Sequence, residues 1–332
     1  MSKAEICVFE KEMTVKMRIV VLDSKTLGKD LDLSLLKELG DVTVYDNTAA
    51  DEVEERIRKC DVCIINKIRL SESNLKNAGN LKLICLAATG YDNVDTDYCK
   101  KAKIGVCNVE GYSTHSVSQL TVTMVLSLMT HIFDYTEYVN SGRYQVSGAA
   151  NHLEPVYHQI YGKTWGIVGL GNIGRQVARV AEVMGCRVVC CRRTKDKEFE
   201  TVDIDTLVSE SDIISVHTPL NESTKNLISR ERIGKMKKNA VFINAARGGV
   251  ADEEALCEAI LENKIGALGI DVYTIEPFDK KHPYNKILGR KNVCLTPHMA
   301  WASIEARRCC LKEIISNIEA FYRGEIRNRV DI

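Results

Sequence analysis

The sequence predicts an α/β fold built from two doubly wound parallel sheets, and three observations lead to it. Short β-branched runs alternate with amphipathic segments, the rhythm of strands joined by crossover helices. That rhythm runs once from Met17 and starts again after residue 163. At 332 residues the chain has room for about two domains of 100 to 200 residues each.

In the first pass the order is "MRIVVL", "LSLLKELG", "VTVY", "ADEVEERIRK", "DVCIINK", "SESNLKNAG" and "LKLICLAA". In the second, "TWGIVG", "CRVVCC", "DIISVH", "AVFINA" and "IGALGID" read as strands, with "NIGRQVARVAEVMG" and "ADEEALCEAILEN" among the helices between them. The pattern from Ser113 to Val139 reads as one helix joining the two units. Its apolar run, Leu120 to Phe133, is shorter than a membrane span and laced with Thr and Ser, so a buried helix is expected. After the last strand-like run, "NVCLTP", a helix from about Ser303 to Tyr322 carries an apolar stripe that needs a partner face. Its return to the first unit would make that domain discontinuous. The expected division is therefore 17–112 plus 301–332 as a substrate domain and 113–300 as a second domain. An active-site cleft is expected between them, and residues 1–16 form a short N-terminal extension.

Composition narrows the function. The chain carries 45 Lys plus Arg against 45 Asp plus Glu, so no overall field recruits nucleic acid or an anionic membrane. A small molecule is the expected partner. The thirteen cysteines are odd in number and scattered, which fits thiols in a reducing compartment better than a disulfide framework. Cys60 and Cys63 form a C-x-x-C within an apolar strand-like run, where residues three apart point to opposite faces, so neither redox chemistry nor a metal site is expected there. The N-terminus has no apolar core of signal-peptide length, and a cytoplasmic protein is expected.

The stretch "GIVGLGNIG" carries the first chemistry. Gly169, Gly171 and Gly174 follow an apolar run and open a helix, the context in which G-x-G-x-x-G binds a dinucleotide. The turn, with Asn172 and Ile173, offers backbone N–H groups and the positive end of the helix dipole to a pyrophosphate. The second domain is thus expected to be a Rossmann-type cofactor domain. Arg192 lies 21 residues past Gly171, where an Asp or Glu would normally hold the adenosine ribose at an offset of about 20. Arg192 and Arg193, with Thr194 and Lys195 beside them, suit a 2'-phosphate, which a guanidinium grips with two bonds. The expected cofactor is NADP(H) in preference to NAD(H); the alternative is a solvated surface turn, "RRTKDK".

Three further segments follow: "NAARGGVADEEAL" with Arg247, "GIDVYTIEPF" with Asp271 and Glu276, and "LTPHMAWAS" with His298. Each stands just beyond an apolar run, where open α/β sheets place their ligands. Singly, Arg247 could be a surface cation, Glu276 a turn residue and His298 a loop histidine. Together, in this order and after this fingerprint, they resemble the D-isomer-specific 2-hydroxyacid dehydrogenase family over nearly the whole chain from Met17. "TPHMAWAS" with "NVEGYSTHSVSQ" looks most like its glycerate dehydrogenase (hydroxypyruvate reductase) branch.

The resemblance implies two Rossmann-like domains, a homodimer, and reduction of a small 2-keto acid to a D-2-hydroxy acid. It implies Arg247 as the cation for the substrate carboxylate and keto oxygen, His298 as the proton donor and Glu276 as its partner. "AATGYDNVD" resembles the substrate-carboxylate loop, which implicates Ala88, Thr89 and Gly90, with Thr89 also near the cofactor phosphates. On the cofactor side it implicates His217, Thr218 and Pro219 of "VHTPLNEST", Ala245, Ala246, Arg247, His298 and Ala300, and Asp271 as the contact for the nicotinamide carboxamide. Hydroxypyruvate and glyoxylate are the favoured substrates. Pyruvate, as for a D-lactate dehydrogenase, is one alternative, and a dinucleotide-sensing corepressor-like binding protein is another. The sequence departs from the family pattern at Arg192, where an Asp is usual, and at Gln119, where many members have Glu.

Overall fold

A computed structural model describes residues 16–332. The expected extension therefore lies outside the described residues, save for Lys16. The described residues divide into two compact units, residues 16–113 with 302–332 and residues 114–301.

The first unit holds a five-stranded sheet of β1 (Met17–Val21), β2 (Gly40–Val44), β3 (Val62–Ile65), β4 (Leu83–Leu86) and β5 (Gly105–Cys107), ordered β2-β1-β3-β4-β5. Each neighbouring pair is parallel. β3 and β4 are buried at every position because a sheet covered on both faces leaves no strand residue for water. Leu22, Ile57, Leu70, Ile84 and Leu86 form one core here. The C-terminal helix Ile304–Tyr322, capped by the Ser303 hydroxyl on Ala306 N–H, buries Leu311, Ile314 and Ile318. Its Arg307 grips Asp30 with two bonds of 2.6 and 2.8 Å.

In the second unit a seven-stranded sheet runs β12-β11-β10-β9-β6-β7-β8. Its strands are β6 (Thr164–Val168), β7 (Arg187–Cys191), β8 (Glu200–Thr201), β9 (Ile213–Val216), β10 (Val241–Asn244), β11 (Ala267–Ile270) and β12 (Val293–Leu295). All pairings are parallel. Alternate strand residues feed two cores: Val168, Ile214, Phe242 and Leu268 on one face, and Ile167, Ile213, Val241 and Ala267 on the other. Chain order reverses at β6, so the crevice beyond its C-terminal end, next to β9, is the switch point where doubly wound sheets take ligands.

The single helix expected over 113–139 is two helices, Thr114–Thr130 and Ile132–Asn140, bent by 62°. His131 between them has φ +53°, a left-handed conformation that a helix cannot carry through. The expectation of burial holds for Met124, Val125 and Leu128 but fails past the bend, where Phe133 is 69 % exposed. No single described helix is long and apolar enough to cross a membrane. No disulfide joins the described cysteines, and burial raises the Cys60 thiol to about 12 and raises the Cys63 thiol as well.

Candidate active site

The glycine turn sits at the switch point. Gly169 has φ +92°, and a Cβ there would lie 2.9 Å from the His217 carbonyl; a Cβ on Gly174 would lie 2.1 Å from Gly169 O. Both are glycines because backbone packs where a side chain would stand. At Gly171, in contrast, a Cβ would meet nothing within 4 Å. The protein's own packing does not demand that glycine, whereas a dinucleotide backbone approaching the turn would. The turn opens the twelve-residue helix Asn172–Val183, whose first N–H groups face the same crevice. These residues fit a nicotinamide dinucleotide.

β7 delivers Arg192 and Arg193. Arg192 is already engaged: its Nη1 donates to Asp196 Oδ2 at 2.5 Å, and Asp196 also receives both Nη atoms of Arg175 at 3.2 and 2.6 Å. Arg193 and Thr194 are exposed. The basic segment is thus organised around one acid that the sequence presents as merely the next acid along the chain.

On the other side of the switch point, the loop after β9 brings His217 to Thr218 and Pro219. The His217 Nε2 lies 2.9 Å from Ser215 Oγ, which in turn accepts the Trp165 indole N–H. Its Nδ1 is sealed from solvent with no partner among the described residues. Burial lowers this imidazole to about 3, so it is neutral at physiological pH.

The turn after β10 is shaped by buried Asn244, whose side chain accepts from Ala246 N–H and donates to the Arg247 carbonyl. Ala245 and Ala246 form the bend, and Arg247 leaves it with Nη1 on the Ala246 carbonyl. The next residue, Gly248, packs so closely that a Cβ there would lie 2.1 Å from the Tyr273 carbonyl carbon. The Arg247 turn and the loop after β11 are therefore held side by side. That loop carries Glu276, whose Oε1 accepts from Tyr273 N–H at 2.9 Å. Glu253, which opens the helix Glu253–Leu261 between β10 and β11, takes Thr274 N–H and lies 3.0 Å from His282 Nε2.

Beyond β12, His298 stands at φ +52°. Its Nδ1 meets Glu276 Oε2 at 2.6 Å, 22 residues away in the chain. A carboxylate on one ring nitrogen fixes the ring plane. Asp271 has a task that the sequence did not suggest. It is fully buried, and its carboxylate accepts from Thr296 Oγ1 at 2.6 Å, Met299 N at 2.9 Å and Ala300 N at 2.9 Å. Burial holds its carboxyl above the usual carboxylate range. Asp271 thereby clasps the turn that carries His298.

Ala88, Thr89 and Gly90 lie in the first unit, on the loop after β4. Thr89 is tied from behind: its Oγ1 donates to Val109 O and its carbonyl accepts from Asn108 Nδ2, both at 2.8 Å. Gln119 is exposed on the Thr114–Thr130 helix. Among the described residues, no group of three His, Cys, Asp or Glu side chains is placed to hold a metal.

Residues 122–300 match the family described as "D-isomer specific 2-hydroxyacid dehydrogenase, NAD binding domain". The chain belongs to the D-isomer-specific 2-hydroxyacid dehydrogenase family. It is 32 % identical over 324 residues to a hydroxypyruvate reductase of Blautia hydrogenotrophica, across 95 % of this chain and all of that one. To a glycerate dehydrogenase of Methylorubrum extorquens it is 35 % identical over 288 residues, 86 % of this chain and 91 % of the relative. Among solved structures, an acyclic imino acid reductase in complex with NADPH and D-Arg superposes with a TM-score of 0.84 at 29 % identity, covering 95 % of this chain and all of that one. Like the rest of this dehydrogenase family, the chain has a domain for a nicotinamide dinucleotide.

Proposed function

We propose that this dehydrogenase reduces a small 2-keto acid, hydroxypyruvate or glyoxylate before pyruvate, to the D-2-hydroxy acid with NADPH. The observation that carries the reading is the contact of 2.6 Å between His298 Nδ1 and Glu276 Oε2 on a turn clasped by Asp271. The bound cofactor supplies the hydride. His298, its Nδ1–H donated to Glu276, delivers the Nε2 proton to the substrate's keto oxygen, and Glu276 stabilises the imidazolium before transfer. In the oxidative direction the neutral ring takes the hydroxyl proton. Arg247 offers a planar fork to the carboxylate and keto oxygen, and Ala88, Thr89 and Gly90 also bind the carboxylate. On the cofactor, Gly169, Gly171, Asn172, Ile173 and Gly174 hold the pyrophosphate, Arg192, Arg193 and Thr194 take the 2'-phosphate, and His217 to Pro219, Ala245, Ala246 and Ala300 line its nicotinamide half.

The names of the relatives support the substrate class, since they include hydroxypyruvate, glycerate and glyoxylate enzymes. The NADPH preference is supported by the basic segment at β7. A homodimer through the second unit is supported by its unburied apolar surface: Phe133 is 69 % exposed, Leu153 and Val156 71 %, and Tyr161 70 %. A cytoplasmic location completes the reading. Turnover of a 2-keto acid panel with NADPH and with NADH is the test, and it also separates a dehydrogenase from a corepressor-like binding protein. Reduction of none of the acids would refute the reading. For the cofactor, Arg192→Asp with Arg193→Ala should weaken NADPH by about 10 to 1000-fold, from charge-assisted bonds of roughly 1.5 to 3 kcal/mol each, and leave NADH nearly unchanged. Equal weakening of both cofactors would reduce the pair to a surface feature.

A further inference from the structure

The segment after β7 contains an acid, Asp196, among five cations: Arg192, Arg193, Lys195, Lys197 and, from the glycine-turn helix, Arg175. By charge alone an acid here admits two readings. It could bind the ribose hydroxyls, as the acid of an NAD enzyme does, or it could repel a 2'-phosphate.

The geometry excludes the first reading. A carboxylate has about four acceptor positions. Oδ1 of Asp196 accepts from Arg175 Nη1 at 3.2 Å, Glu198 N at 3.0 Å and Phe199 N at 3.3 Å. Oδ2 accepts from Arg175 Nη2 at 2.6 Å and Arg192 Nη1 at 2.5 Å. The side chain is 5 % exposed, and nothing remains of it for a ribose. The second reading fails as well, because two guanidinium groups already neutralise this carboxylate.

We infer that Asp196 is a positioning residue for cofactor selection: it holds Arg192 ready for the 2'-phosphate, an inference that rests on the NADP(H) reading above. Fixing a long arginine costs rotamer freedom, and Asp196 meets that cost before any ligand arrives. It uses Nη1 alone. The guanidinium has five N–H donors in a planar fork, and among the described residues no second partner takes the Nη2 and Nε edge, which suits a bidentate grip on phosphate. Asp196 is itself fixed, since its N–H donates to Thr201 Oγ1 on β8 at 2.9 Å. Arg175, the residue after Gly174, ties the same anchor to the first turn of the glycine-turn helix, so the pyrophosphate and ribose ends of the cofactor site share one support.

The test is titration of the full chain with NADPH and NADH, and with 2'-AMP against AMP as probes that lack the nicotinamide. Asp196→Asn should raise the NADPH and 2'-AMP dissociation constants about tenfold, the loss of one charge-assisted contact, and leave NADH and AMP within about twofold. Asp196→Glu, which keeps the charge, should recover part of the loss. In an Arg192→Ala background, Asp196→Asn should have no further effect on NADPH, because its only route to the phosphate is gone. Tighter NADPH binding by Asp196→Asn would mean that the acid is a competitor, and equal weakening of both cofactors would mean a general structural role. Either result overturns the inference while leaving a native preference for NADPH intact. A native preference for NADH would overturn the NADP(H) reading and this inference together.

Discussion

Asp271→Asn is the sharpest probe of the turn that presents His298. The carboxylate accepts three donors: the Thr296 hydroxyl, Met299 N–H and Ala300 N–H. An asparagine has one acceptor oxygen and an amide that only donates. The oxygen can serve Met299 N–H with the Thr296 hydroxyl, or Ala300 N–H instead. In every arrangement at least one buried donor faces the NH2 group. An unmet buried donor costs about 1 to 3 kcal/mol, so about 2 kcal/mol is expected. His298 at φ +52° adds to the effect, because a non-glycine residue holds that conformation only when its surroundings impose it, at about 1 kcal/mol or more. With the clasp loosened, the turn relaxes and the ring leaves Glu276. A shift of 2 kcal/mol away from the competent turn lowers kcat/KM about 30-fold and lowers the unfolding midpoint by about 4 °C. Steady-state kinetics and thermal unfolding measured on the same preparation test this. Less than a threefold loss of kcat/KM with an unchanged midpoint would show that Asp271 does not hold the turn.

Two further perturbations separate catalysis from stability. His298→Ala should lower turnover on the order of 100 to 10,000-fold, the usual contribution of a general acid, while cofactor dissociation constants from fluorescence titration stay nearly native; a fall of less than fivefold would remove His298 from the proton transfer. His217, lowered by burial to about 3 against an ordinary value near 6.5, binds more protons unfolded than folded in that window, so the stability it allows is full above about pH 6.5 and is lost as pH falls. Between pH 7.5 and 5, the native protein should lose about 2 kcal/mol more than His217→Asn in urea titrations, and parallel losses would contradict a buried neutral imidazole.

Much of this protein was legible locally. Strand runs such as "VCII" and "LICL" are apolar at successive positions because both faces of the sheet are covered, and that pattern belongs to the sequence itself. The glycine turn was equally plain, because backbone packing at Gly169 and Gly174 forbids a side chain there, and a local rule reads it directly. Residue types and order also marked Arg247, Glu276 and His298. What the chain could not display is which groups meet. Glu276 reaches His298 across 22 residues, and Asp271 reaches Met299 and Ala300 across 28 and 29, because parallel strands deliver their C-terminal ends to one edge of a sheet. In the sequence Asp196 is one acid in a basic run; only folding stacks Arg175 and Arg192 on it. The break at His131 belongs to the same class, since the surrounding segment favours helix and one left-handed residue redirects it. Periodicity reports which face of an element is covered, whereas hydrogen bonds between elements depend on distances that only the packed sheets set.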